Sequence, residues 1–439
     1  MDIALLMFPA LLVLLLVGIP VAYSLFAVSL VFGFIRFGDK AVFQFVSKVQ
    51  DVGGNYILAA VPLFVFMGCM LERAGIAERL FEALYLWTRR LPGGLAVGAV
   101  LLGVIFAAAS GVVGATETVI GLLAIPIMMK YGYNKSLIAG TICAGGSLGT
   151  VIPPSVLVVI LAPIADVSVG DLFAGLLFPG LLMAMLFVLY IVIRCALNPA
   201  LAPREMADKG PEVPLLTMIR MTVFAVLPPL FLIFTVLGTI LMGLATTTEA
   251  AACGAVGATL LTLMNRRLSI QVLGDAAQKT VRITVMMLTI LLAGSMFAGV
   301  FIASGGVGDV RALLDAANLT PWHTLLLILF IAFISGFALD LVSVVLVMIP
   351  ISMPIITSLD FDPVWFCILF LVMIQTSYLT PPMAPAIFYL RAISPPEITL
   401  ADMYRGVIPF IGLQLLTLVL ILIFPQIALY LPSQITGFR

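Results

Sequence analysis

Charge is what this chain has least of. Only 10% of its 439 residues are Asp, Glu, Lys or Arg, with 21 of each sign. Against that, 63% are hydrophobic, and the mean hydropathy is +1.26. Soluble domains carry about 25% charged residues, so a soluble globular fold is excluded. Equal charge counts without a basic cluster give nucleic acid no footing. One histidine, His323, cannot build a histidine metal centre. It follows Pro321-Trp322 at the mouth of an apolar run and is expected at an interface. The five cysteines (Cys69, Cys143, Cys195, Cys253 and Cys367) show neither metal-ligand nor disulfide spacing. They are expected to be small buried residues. No Ser/His/Asp or metal constellation supports catalysis, which leaves an intramembrane enzyme as a remote reading. Met1-Asp2 lacks the positive region that opens a cleaved signal peptide.

What the chain has is apolar runs long enough to span a bilayer, repeated along its length. That is an all-α polytopic membrane protein. As one helix, the first run, to Phe37, would reach roughly 50 Å against a ~30 Å core. Gly18-Ile19-Pro20 either kinks it or splits it.

A proline pair occurs twice in one setting: Ser147-Leu148-Gly149-Thr150-Val151-Ile152-Pro153-Pro154 and Gln375-Thr376-Ser377-Tyr378-Leu379-Thr380-Pro381-Pro382. Proline lacks an N–H and favours the first helical turn. Each site predicts a membrane helix broken midway, with a new half-helix starting at the prolines. Such breaks are tolerated only where protein or a cavity satisfies the freed backbone.

The pairs belong to a longer correspondence. Gly75 with Gly306, Ser110-Gly111 with Ser335-Gly336, Pro126 with Pro350, the proline pairs, and Asp171-x-x-x-Gly175 with Asp402-x-x-x-Gly406 recur in order. Their offsets run from 224 (350 − 126) to 231 (306 − 75). This predicts repeats over 56–196 and 284–430, N-terminal scaffold helices over 1–55, and an extramembrane linker over 197–216. Two further spans, about 217–242 and 246–264, lie with an interfacial helix in the 217–283 region. Three amphipathic stretches, about 40–51, 77–91 and 268–282, read either as helices along the interface or as ordinary loop helices.

Each repeat also breaks at a small-residue tip. The first break is Ser110-Gly111-Val112-Val113-Gly114-Ala115-Thr116. The second is at Ser335-Gly336 and resumes at Asp340. Each reads as a re-entrant hairpin, with two complete spans as the alternative. Arg89, Arg90, Lys130 and Lys135 flank the first, whereas Asp315, Asp360 and Asp362 dominate around the second. By the positive-inside rule the two open on opposite sides, so the repeats are inverted. Inverted repeats place substrate and coupling ions near the midplane.

A hard cation such as Na⁺ takes oxygen ligands, which unwound carbonyls and hydroxyls supply. A first ion site is expected from Ser110, Gly111, Gly114 and Thr116 with Gly146, Ser147, Gly149 and Thr150. A second is expected from Ser335, Gly336 and Asp340 with Gln375, Thr376, Ser377 and Thr380. Thr116, Ser147, Pro154, Ser377 and Pro382 are the substrate candidates. Asp340 is the leading single ion ligand. Glu117 either tunes ion binding or pairs with a buried donor. Glu249 reads as structural, and Asp166, Asp171 and Asp402 as helix caps. Arg391 snorkels to an interface or attracts an anion.

The segment from Lys135 to Gly180, including Ala139-Gly140-Thr141-Ile142-Cys143-Ala144-Gly145-Gly146-Ser147 and Ile152-Pro153-Pro154-Ser155, resembles the large membrane subunit of tripartite ATP-independent periplasmic (TRAP) transporters. Ala245-Thr246-Thr247-Thr248-Glu249-Ala250-Ala251, Leu379-Thr380-Pro381-Pro382 and Ser394-Pro395-Pro396-Glu397 extend the resemblance over essentially the whole chain. The resemblance implies a Na⁺-driven uptake system for an organic anion in the bacterial inner membrane, with an elevator-type moving domain and a fixed scaffold. It also implies two partners, a small membrane subunit and a periplasmic substrate-binding protein. Thr247, Met383-Ala384 and Gly114-Ala115-Thr116-Glu117 are similar to the mannitol/chloroaromatic or 2-oxo-acid branch. The rival reading is a self-sufficient Na⁺/carboxylate symporter.

Overall fold

The computed structural model describes residues 3–111, 114–203, 214–381 and 384–436. All regular structure among them is helical. The first apolar run is two helices, α1 (Met7–Leu16) and α2 (Val21–Phe37), parted at Gly18 with φ +93° and at Pro20, the N-cap of α2. The amphipathic α3 (Lys40–Gly53) follows.

Seven helices of the first repeat come next: α4 (Ala60–Arg73), α5 (Ile76–Thr88), α6 (Gly94–Ser110), α7 (Ala115–Lys130), α8 (Lys135–Ser147), α9 (Val156–Ala165) and α10 (Val169–Leu197). Two central helices, α11 (Leu215–Leu241) and α12 (Thr247–Met264), precede α13 (Ile270–Ala303), α14 (Gly306–Ala316), α15 (Pro321–Ser335), α16 (Leu341–Ser358), α17 (Pro363–Leu379), α18 (Pro385–Ile393) and α19 (Leu400–Ile423). A terminal α20 (Gln426–Thr436) packs on α10. Helices α4 to α10 correspond one by one to α13 to α19. Gly75 and Gly305, both left-handed, are the N-caps of α5 and α14, so Gly305 rather than Gly306 is the equivalent of Gly75.

Capping chemistry sets many of the boundaries. Ser168, Thr246, Ser269, Asp362 and Thr399 each accept a backbone N–H from the first turn of the helix they open. Asp402 and Glu249 stand at the third position and reach back to the caps Thr399 and Thr246 as capping boxes. Asp171 takes the same position in α10, and Asp166 ends α9 with φ +55°. Helix-end roles are those expected of Asp166, Asp171 and Asp402, and the structural role read for Glu249 is that of a capping-box partner.

The segment 268–282 is not a separate interfacial helix. Ser269 caps it, and it runs without a break into the 34-residue α13, because no proline interrupts the apolar stretch that follows. The boundary expected at 283 therefore falls inside one helix. Helix α13 packs along α2, α3, α4 and α16 and ties the N-terminal helices to the rest. A separate cluster there is built on Met7, Leu25, Phe297 and Phe301.

The Asp-x-x-x-Gly landmarks have a packing reason. A Cβ on Gly406 in α19 would sit 2.1 Å from Ser136 O in α8, and one on Gly140 would sit 2.1 Å from Gly406 O. In the mirrored contact, a Cβ on Gly175 in α10 would sit 2.4 Å from Ile368 Cδ1 in α17. The long helix of each repeat thus admits the broken helix of the other, the close approach that small residues permit in membranes.

Candidate functional site

The hairpin arm α15 has 15 residues and reaches about 22 Å, short of a ~30 Å core. Its tip and that of α6 and α7 end on the facing breaks. At the first tip Gly111 (φ +58°) and Gly114 (φ +86°) turn the chain. Val156 donates its N–H to Gly111 O at 3.3 Å, and a Cβ on Gly111 would lie 2.7 Å from Pro154 O. The buried Glu117 folds back and accepts the Gly114 N–H at 2.8 Å. Gly146 of α8 lies against it, since a Cβ there would be 2.3 Å from Glu117 Cγ. Thr116 is buried on the same side, with its Oγ1 3.8 Å from where a Gly149 Cβ would stand.

The structure therefore brings Gly111, Gly114, Thr116, Gly146, Gly149 and Pro154 together. Ser110 ends α6, and its side chain lies outside the described residues, as do Val112 and Val113. Ser147 turns elsewhere. Its hydroxyl donates to Ala144 O at 2.9 Å and accepts from Gln375 Nε2 at 3.3 Å and Gln414 Nε2 at 3.2 Å. Thr150 donates to Ser147 O at 2.9 Å and closes the end of α8.

The second tip places Gly336 against α17, where a Cβ would stand 2.0 Å from Ser377 Oγ. Ser335 O accepts Ala338 N at 3.1 Å and Leu339 N at 2.9 Å. Asp340 is the N-cap of α16. It accepts Val342 N at 3.2 Å and Ser343 N at 3.4 Å, and also the Ser343 hydroxyl. Ser335, Thr376, Ser377 and Thr380 donate their hydroxyls to carbonyls three or four residues back, at 2.6 to 2.9 Å. A hydroxyl bonded this way keeps its lone pairs for a cation.

Gln375 is not beside this tip's ligands alone, because its amide reaches across to Ser147. Pro382 lies outside the described residues. The new half-helices also start after the proline pairs: α9 opens at Val156, and α18 opens on Pro385 at its first turn.

Both tips border one cavity of about 390 Å³, with Gly111, Gly114, Asp340 and Leu341 on its wall. Tyr378 and Tyr389 come from the second break, and Glu72 of α4 and Lys279 of α13 also line the cavity. Lys279 Nζ bonds Glu72 Oε2 at 2.6 Å. Sequence reasoning placed none of Glu72, Lys279, Tyr389 or Gln414 in the site. The signal for the pair was weak, because Glu72 stands beside Arg73 and Lys279 between Asp275 and Arg282, so each reads as one charge of a mixed set at the end of an apolar run. Gln414 was the single amide inside α19.

The fold is shared with the Alcanivorax borkumensis YdaH transporter, whose crystal structure superposes with a TM-score of 0.64 at 16% identity, covering 96% of this chain and all of that one. The C4-dicarboxylate TRAP transporter large permease protein DctM of Pseudomonas aeruginosa is 30% identical over 402 residues, 91% of each chain. The ectoine/5-hydroxyectoine large permease UehC of Ruegeria pomeroyi is 30% identical over 97% of each. Residues 8–427 match the family described as the DctM component of the tripartite ATP-independent periplasmic transporter. The seven helices long and apolar enough to cross a bilayer among the described residues fit that placement. This chain belongs to the DctM-component family of TRAP transporters, as a multi-pass protein of the bacterial inner membrane.

Proposed function

We propose that the chain is the translocating subunit for Na⁺-coupled uptake of an organic acid anion, working with a small membrane subunit and a periplasmic substrate-binding protein. The observation that carries this reading is the pairing of each oxygen-rich tip with a facing helix break, both on the wall of one cavity. Na⁺ would be held by carbonyls around Gly111, Gly114, Gly146 and Gly149 with Thr116 at one tip. At the other, Ser335, Gly336, Asp340, Thr376, Ser377 and Thr380 would hold it. A cation there lowers the cost of an anion entering the cavity between the tips. The tips and breaks would move as a body against α4 and α11 to α13 in an elevator step. Relatives named for C4-dicarboxylate, ectoine and sialic acid support small organic solutes as cargo. Thermal unfolding of the purified membrane complex in Na⁺ against K⁺ tests the ion sites. Na⁺ is expected to raise the midpoint in a saturable way, and equal midpoints in the two salts would remove them.

A further inference from the structure

One wall of the cavity is a single face of α13. Lys279, Ile283, Met286 and Met287 lie along it at helical spacing. One cationic head is followed, over the next two turns, by an unbroken apolar strip. Leu157 of α9 and Leu341 of α16 add apolar surface from the tip side. The ammonium of Lys279 is held by Glu72 at 2.6 Å, and one turn outward Arg73 holds Asp275 at 2.8 Å. The outer pair fixes α4 against α13. The inner pair borders the cavity and is partly open, with side-chain exposures of 35% for Lys279 and 24% for Glu72. Among the described residues, Asp340 is the acid that the second tip brings to the wall.

We propose, building on the transport reading above, that Lys279 is the specificity-determining anchor for the substrate's single carboxylate, and that the cavity selects organic acids with one anionic group and an apolar body. The incoming carboxylate takes over a hydrogen bond from the Lys279 ammonium in competition with Glu72. Glu72 keeps the cation neutralised when the site is empty. The body of the acid lies along Ile283, Met286 and Met287, where apolar area leaves water. A second carboxylate at the far end of the molecule would meet either that strip, at the desolvation cost of an unpaired charge, or the like charge of Asp340.

The test uses the chain co-purified with its small membrane subunit, with the exposed Cys253 replaced by serine and Ile283→Cys as a thiol reporter. The probes are 4-methylpentanoate and hexanedioate, acids of similar reach with one and two carboxylates. Protection of the thiol from a maleimide is read against acid concentration at fixed Na⁺. The monoacid is expected to protect at a concentration roughly tenfold or more below the diacid. Lys279→Gln is expected to raise the monoacid's concentration by roughly tenfold, the loss of a hydrogen bond to a charged group, and Glu72→Gln to lower it. Equal protection by the two acids, no protection by either, or no effect of Lys279→Gln would overturn the proposal. The double variant Lys279→Gln/Glu72→Gln removes both charges together. Recovery of its thermal midpoint separates lost binding from the misfolding that an unpaired Glu72 would cause. If this pattern holds while uptake ignores a Na⁺ gradient, the anchor stands and the coupling reading falls. If uptake follows Na⁺ while the pattern fails, the reverse applies.

Discussion

Ser147 and Gln375 occupy the same place in the two halves of the chain, 228 residues apart, and they are hydrogen-bonded to each other at 3.3 Å. Equivalent residues touch in this way only where the pseudo-two-fold axis of the repeats passes between them. The axis therefore runs through the ends of α8 and α17, just before both helices break. Gln414 makes the contact three-membered and brings in α19. The hydroxyl of Ser147, one donor and two acceptor positions, is fully used there.

Replacing Ser147 by alanine accordingly takes the acceptor from the buried Gln414 amide and leaves the Gln375 amide only the weak acceptor Met183 Sδ at 3.4 Å. The expected loss is about 1–3 kcal/mol, read as a lower thermal midpoint. Combining it with Gln375→Leu should recover part of that loss, since removing both partners is close to neutral. The Na⁺ concentration for half-activation should stay where it is in the parent protein. A large rise would put Ser147 back among the ion ligands.

Asp340 serves α16 as its cap, and asparagine caps almost as well, whereas alanine costs about 0.5–2 kcal/mol. Asp340→Asn should therefore unfold like the parent while its half-activating Na⁺ concentration rises severalfold. Asp340→Ala should show both defects. Unchanged Na⁺ activation in the asparagine variant would reduce Asp340 to a cap.

Gly146→Ala would place a methyl group 2.3 Å from Glu117 Cγ, inside any allowed contact. Overpacking of this kind costs about 1–3 kcal/mol or more, and the first tip must shift to relieve it. Transport and thermal midpoint should both fall, and Glu117→Ala in the same chain should restore part of the midpoint. A Gly146→Ala protein as stable as the parent would mean that Glu117 does not pack as described.

The inverted arrangement makes a topological prediction. Cysteines introduced at the exposed positions Lys135 and Asp315, with Cys253 replaced by serine, should react with impermeant reagents from opposite sides of the membrane. Labelling of both from one side would contradict the opposed openings of the hairpins.

Breaks and tips were legible in the sequence because they need special residues. Gly111, Gly114, Asp340 and the proline pairs can be read one residue at a time, and their order gave the repeat. The split of the first run at Gly18 and Pro20 was half-legible, since proline stops a helix and also kinks one. Pairings across the chain were not legible. Nothing local tells Ser147 to face Gln375 and Gln414 rather than the nearby tip. Glu72 and Lys279 are 207 residues apart, and each alone reads as an ordinary charge at a membrane surface. The stretch 268–282 misled because its charges look interfacial, while its continuation into α13 depends only on the absence of a breaker.

Uptake by the complete system bears most directly on the central claim. The chain would be reconstituted into liposomes with its small membrane subunit and the substrate-loaded binding protein, and accumulation of a radiolabelled monocarboxylic cargo followed under an inward Na⁺ gradient. The account predicts accumulation that collapses when K⁺ replaces Na⁺ and that is absent when the binding protein is left out. Equal accumulation in K⁺ would contradict the coupling. Accumulation without the binding protein would make the chain a self-sufficient symporter instead.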